Sequence, residues 1–246
     1  MKKPGHTIKI NPLKVAISLL VVSVVIIIFS LIGRHESNIS LSNPIESFFL
    51  AMFNDEFYVN NLTNVAVYWN MLLLTIISAL AFAIASVKLA QKDKYRYEWW
   101  LAGALFFYFA VDELAGISQK FSRLLKDLPN MNVGTYYNWF YPVAAVAIVL
   151  ILAFLIRFYF HLDAPNKFLF PISIILYILG AFGEQLLSGH YAELYGKKNT
   201  AYLLITHAEK FGEQVGIILM IYLLLTYIVA HYSEIEFTAQ EPEKTV

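Results

Sequence analysis

Residues 202–225 read YLLITHAEKFGEQVGIILMIYLLL, a segment long enough to cross a bilayer whose first half carries a His, two Glu and a Lys. Ionisable side chains are costly to bury in lipid, and inside membrane helices they usually have a function. Here they are His207, Glu209, Lys210 and Glu213. We therefore interpret the segment as a transmembrane helix that contributes to a polar site near one membrane surface.

The composition of the whole chain indicates an integral membrane protein. Of the 246 residues, 59% are hydrophobic and only 15% are charged, whereas soluble domains are richer in charge. Because the formal net charge is zero, we expect no nucleic-acid partner. The chain contains no cysteine, which excludes disulfides, thiolate metal ligands and cysteine nucleophiles.

Six apolar stretches approach the roughly 20 residues that a helix needs to cross a bilayer. They predict an all-α fold: one bundle of six transmembrane helices within residues 1–232, followed by a polar cytoplasmic tail at 233–246. The predicted spans are Val15–Ile32, Val65–Val87, Trp99–Gly116, Trp139–Phe160, Phe168–Leu187 and Tyr202–Tyr232. Of the connecting stretches, Ile45–Phe53 is too short to span and is expected to form an interfacial or re-entrant turn. Residues 117–128 are expected to lie at the membrane surface.

The distribution of basic residues predicts the orientation of the bundle. If the N-terminus is cytoplasmic, most of the 18 lysines and arginines fall on the cytoplasmic side, as the positive-inside rule requires. We expect a multi-pass protein of the plasma (inner) membrane with both termini in the cytoplasm. Its expected partners are the lipid bilayer and either another membrane protein or further copies of the same chain.

In this orientation the third, fifth and sixth spans carry their acids at the same outer depth. Five carboxylates cannot all stay ionised side by side in a low-dielectric site. Some must bind a cation, pair with Lys210 as an internal counter-ion, or remain protonated. The predicted cation- or proton-binding residues are Asp112, Glu113, Glu184, Glu209 and Glu213.

These outcomes correspond to different functions, and the sequence leaves them open. The first is a cation or proton site that serves transport, gating or signalling. The second is a metal-dependent membrane enzyme acting on a lipid or quinone-like substrate. The third is a non-catalytic membrane subunit of a larger complex, which docks its partner through the amphipathic segment at residues 117–128. Alternatively, the polar cluster has only a structural role and pairs the helices. The ligands predicted for a divalent metal in the second case are Glu113, Glu184, His207 and Glu213.

Several stretches resemble a group of uncharacterised bacterial multi-pass membrane proteins. They are Asn60-Asn61-Leu62-Thr63, FFYFAVDELAGISQKF at 106–121, LGAFGEQLLSG at 179–189, and residues 202–225. The resemblance covers most of residues 55–230. It implies a polar site but no particular reaction. The group's pattern is matched at Asp112, Glu113, Glu184, Glu209, Glu213 and Gly216.

The chain departs from the group's pattern at two places. Ser118 and Gln119 stand where the group has His-Glu, and Lys210 stands where it has a second Glu. Two acids and an imidazole are therefore missing and a cation has been added. Because a divalent metal would lose ligands and compete with Lys210, the departures weaken the metal hypothesis for this chain.

Overall fold

The structure is a computed structural model that describes residues 10–36, 43–48, 57, 64–118, 120, 156, 159–160, 164–183, 187–197 and 199–232. Within these residues, the regular secondary structure is helical throughout. The helices are α1 (Pro12–Glu36), α2 (Val65–Ala90), α3 (Arg96–Ala115), α4 (Ala164–Gly183), α5 (Gly189–Tyr195) and α6 (Thr200–His231). The all-α prediction is confirmed for this part of the chain.

Three of these helices are long and apolar enough to cross a membrane, namely Pro12–Ile32 within α1, the whole of α2 and the whole of α6. They coincide with the first, second and sixth predicted spans. The third predicted span corresponds to α3, which carries Glu98 and two further acids near its end. The fifth corresponds to α4, whose apolar part is the shorter stretch Lys167–Ala181.

Other predicted features fall wholly or mostly outside the described residues. The fourth predicted span is described only at 156, 159 and 160, and the tail at 233–246 not at all. Of the two predicted surface segments, residues 45–48 and residues 117, 118 and 120 are helical. The position of the remaining residues of both segments stays a prediction.

Two asparagines determine where long helices begin. Asn64 precedes α2, and its Oδ1 accepts the backbone N–H of Val67 at 2.9 Å. Asn199 precedes α6, and its Oδ1 accepts the backbone N–H of Tyr202 at 2.8 Å. Each bond satisfies an amide group that the first helical turn leaves without a helical partner.

The long helices form two closely packed pairs, α2 with α3 and α4 with α6. In the first pair, Ser78 Oγ donates a hydrogen bond to the backbone carbonyl of Gly103 at 2.8 Å. An apolar core joins the two pairs, since α2 also packs against α6. Its most deeply buried members on these two helices include Leu73, Leu74, Ile77, Ile217 and Ile221.

Two glycines bring α4 and α6 into backbone contact. A Cβ added to Gly180 of α4 would overlap the backbone of Glu213, and one added to Gly216 of α6 would lie 2.5 Å from the backbone nitrogen of Tyr177. Small residues at such positions allow membrane helices to pack at the shortest possible distance. The contact therefore fixes the part of α6 that carries Glu213 against α4.

We expect Gly180→Ala to destabilise the protein by about 1–3 kcal/mol, because the added methyl group must displace backbone atoms of α6. The measurement is unfolding of the purified protein in detergent. The control is Gly212→Ala on α6, where a Cβ would meet nothing within 4 Å. There we expect no loss, or a gain of about 0.5–1 kcal/mol from helix propensity. Equal effects of the two substitutions would contradict the packing described for Gly180.

Candidate functional site

The centre of the candidate site is the ammonium group of Lys210, which lies between two carboxylates. Its Nζ is 2.8 Å from Glu113 Oε1 and 2.9 Å from Glu213 Oε2. The exposed fractions of the three side chains are 13%, 18% and 5% for Lys210, Glu113 and Glu213, so all three are largely shielded from solvent. Two carboxylates and one ammonium leave one formal negative charge on this ion triad.

The ion triad follows from the positions of its members along two helices. Lys210 and Glu213 are three residues apart on α6, a spacing that places side chains on the same side of a helix. Glu113 comes from the last turn of α3 and reaches the ammonium from the other helix pair. The ion triad therefore links the α2–α3 pair to the α4–α6 pair.

The other two long helices of these pairs contribute polar side chains. Asn70 of α2 is fully buried, and its Nδ2 donates to Glu113 Oε1 at 3.3 Å. Tyr177 of α4 lies close enough to Glu213, Glu113 and Asp112 to interact with them electrostatically. Asn70 was not among the predicted site residues. The sequence does indicate it, because it is a single amide side chain within the apolar sequence of α2.

Asp112 stabilises the turn that follows α3. Its Oδ1 accepts the backbone N–H of Ser118, and its Oδ2 accepts the Ser118 hydroxyl, both at 2.7 Å. The chain can turn back in this way because Gly116 has a positive φ of 58° and ends the helix. Asp112 thus lies beside the site, and its carboxylate is bound to the following turn.

Glu209 is buried one turn before Glu213 on α6, with 8% of its surface exposed. Its Oε1 accepts the backbone N–H of Ser188 at 3.2 Å. Ser188 immediately precedes α5, so Glu209 connects α6 to the segment that follows α4. Glu184, the remaining predicted carboxylate, lies outside the described residues, and its place in the site stays a prediction.

His207 connects α6 to α1. Its Nδ1 lies 2.7 Å from the backbone carbonyl of Leu203, and its Nε2 lies 2.8 Å from Ser30 Oγ. A carbonyl oxygen can only accept, so Nδ1 carries the hydrogen, and in the neutral ring Nε2 accepts the Ser30 hydroxyl. The imidazole is therefore used in a helix–helix contact, and its predicted role as a metal ligand gains no support from these bonds.

The described residues do not form a site that fits a divalent metal. Among them, no three His, Asp or Glu side chains are close enough together to hold a metal ion. Glu113 and Glu213 do approach each other, but the ammonium of Lys210 lies between them. A metal ion there would have to displace a cation that belongs to the protein.

Comparisons with known proteins identify a family but no activity. A family model described as a domain of unknown function (DUF8692) matches residues 17–227. Neither a curated protein nor a solved structure matches the chain. The match covers most of the 246 residues and agrees with the expectation of an uncharacterised family. The specific motifs and the bacterial origin stay predictions.

We expect Lys210→Met to destabilise the protein by roughly 3–5 kcal/mol, because it leaves two adjacent, shielded carboxylates without their cation. Adding Glu113→Gln to that variant is expected to restore part of the loss, since it removes one of the two like charges. Unfolding of the single and double variants in detergent measures this coupling. Lys120→Met is the control, because Lys120 is exposed. Additive effects of Lys210→Met and Glu113→Gln would show that the two groups do not interact.

Proposed function

The chain belongs to this family of unknown function, and we propose that it is a proton-responsive integral membrane protein in which the ion triad binds and releases a proton. In this proposal the protein has six transmembrane helices, with both termini in the cytoplasm and the ion triad near the outer membrane surface. Proton uptake changes the contact between the two helix pairs and so serves gating or transport.

The observation that carries the proposal is the position of the Lys210 ammonium between carboxylates of two different helices. Protonation of Glu113 would remove the ion pair between α3 and α6 and leave a contact between an ammonium group and a neutral acid, which lacks the attraction between opposite charges. It would also neutralise the one formal negative charge of the ion triad. A single proton therefore changes both the local charge and the strength of an inter-helix bond.

Among the described residues, few charged groups other than Glu113 and Glu213 can interact with the ammonium group of Lys210. The titratable and charged groups on the packed helices near it are Glu113 and Asp112 on α3, Tyr177 on α4, and His207, Glu209 and Glu213 on α6. From α2 the described polar contributor is Asn70, which does not titrate. Since Asp112, Glu209 and His207 are bound to other partners, Glu113 and Glu213 are the groups that determine the state of Lys210.

The length of α6 supports a site near the membrane surface. Its 32 residues correspond to about 48 Å at 1.5 Å per residue, whereas the hydrocarbon core of a bilayer is about 30 Å thick. The first turns of α6 can therefore extend into the polar headgroup region while the later turns span the lipid. Lys210 and Glu213, three to four turns from the start of α6, would then lie where protons from the outer solution reach them.

The two ends of the helix-pair interface differ in chemistry. Near the start of α6 the contact is ionic, through Lys210 and Glu113. Near its end the contact is aromatic, since the rings of Trp99 on α3 and Tyr227 on α6 have centroids 5.2 Å apart. Tyr227 is also stacked on His231, with ring centroids 4.2 Å apart, and the Lys88 ammonium lies 6.0 Å from the centre of its ring. Protonation of Glu113 acts at the ionic end of the interface. Proton uptake would therefore loosen the interface at the end nearest the outer surface.

The experiment is a distance measurement between spin labels on α3 and α6. The chain has no cysteine, so Leu114→Cys and Leu204→Cys, at exposed positions near the ionic end, give two unique labelling sites. In lipid nanodiscs, we expect longer distances at mildly acidic than at mildly alkaline pH. Glu113→Gln is expected to give the longer distances at both pH values, because the amide mimics the protonated acid.

Glu98→Gln on the same helix is the matched control, since Glu98 lies in the first turn of α3, far from the ion triad. This variant should keep the pH response of the parent protein. The proposal fails if the parent distances do not change with pH, or if Glu113→Gln responds to pH as the parent does. A loss of stability without any effect on the distances would assign the ion triad to assembly alone.

A further inference from the structure

No hydrogen bond within the described residues accounts for the polar side chain of Gln214. It lies on α6 next to Glu213 in sequence, and none of its surface is exposed. Neither its Nε2 nor its Oε1 has a hydrogen-bond partner among the residues that the structure describes. A primary amide offers two donors and two acceptor positions, and burying it without partners is strongly unfavourable. Its burial on α6 therefore requires an explanation.

A second buried amide group lies on the neighbouring helix. None of the surface of Asn70 is exposed, and its Oδ1 likewise has no partner within the described part of the chain. The Nδ2 of the same side chain donates to Glu113. Asn70 thus uses one end of its amide group for the ion triad, while the other end remains an unused hydrogen-bond acceptor.

Both amide groups adjoin the ion triad. Gln214 is four residues from Lys210, so the two side chains are neighbours along one face of α6. Asn70 is bonded to Glu113, which is bonded to Lys210. In the next turns of α6, beyond Gln214, the buried side chains are apolar, beginning with Ile217, Ile218 and Ile221. The amide groups therefore mark the boundary between the polar site and the apolar core.

We infer that Gln214 and Asn70 bind internal water beside the ion triad. Water fits the available atoms, because it can donate to Asn70 Oδ1 and to Gln214 Oε1 and can accept from Gln214 Nε2. It also fits the location, since a buried polar site holds ordered water, whereas an apolar cavity stays dry. The role of this water is to hydrate the ion triad while a proton enters or leaves, and this role rests on the proposed function.

The test detects the water directly. Protein labelled with ¹⁵N in its glutamine side chains is placed in lipid bilayers, and magnetisation transfer from water to each side-chain amide group is recorded by NMR. We expect one slowly exchanging amide signal to receive magnetisation from water and to vanish in Gln214→Met, a substitution of similar size and shape. Gln91→Met is the matched control, because Gln91 is exposed at the end of α2 and its loss should leave the buried signal unchanged.

A density map of the parent protein in a nanodisc gives a second measurement that requires no variant. A water peak within hydrogen-bond distance of both Gln214 and Asn70 Oδ1 would support the inference. A protein group at that position, or a Gln214 signal that receives no magnetisation from water, would overturn it. Water binding does not depend on the pH response of α3 and α6, so this result and the spin-label result can fail separately.

Discussion

The rest of the structure depends on the need to pair the buried charge of Lys210. An ammonium group removed from water is stable only when anions and hydrogen-bond acceptors surround it. Glu213 supplies one anion from the same helix, but the second, Glu113, has to come from α3. This requirement specifies which helices must meet and at which depth along α6. The apolar packing between the helix pairs then has to be compatible with an ion-pair distance of 2.8 Å.

Close packing and polar contacts between helices support each other in this bundle. Apolar side chains give lipid-embedded helices little reason to prefer one partner over another, so small residues and hydrogen bonds determine the pairing. Gly180 and Gly216 bring α4 against α6, and this contact holds the backbone of Glu213 in place. α1 packs through apolar side chains and also forms polar contacts: Ser30 contacts His207, and Ser23 accepts the indole N–H of Trp69 at 2.8 Å.

Sequence reasoning identified three helices that are long and apolar enough to cross a membrane and the charges that meet, because helix length, hydropathy and the position of a charge along a helix can be read directly from the sequence. It placed Glu113, Lys210 and Glu213 at one depth, where the structure brings them together. It could not predict the direction of each side chain. Asp112 is adjacent to Glu113, yet it binds the turn after α3, because the local backbone at Gly116 brings Ser118 within its reach. The predicted site residues do not include Asn70 and Gln214. Their importance depends on their burial and on amide atoms that lack hydrogen-bond partners, and the spacing of residues in the sequence shows neither property.

The presence of Lys210 also bears on the choice between the proposed proton site and a metal site. The resemblance drawn from the sequence implies a Glu at this position and His-Glu at Ser118 and Gln119, a pattern that stays a prediction. A site of that kind would depend on an external cation to balance its charge. Here the balancing cation is covalently part of α6, so its presence does not depend on the concentration of any metal. What the solution can still change is the protonation of the two carboxylates. A built-in ammonium group therefore favours a site that responds to protons.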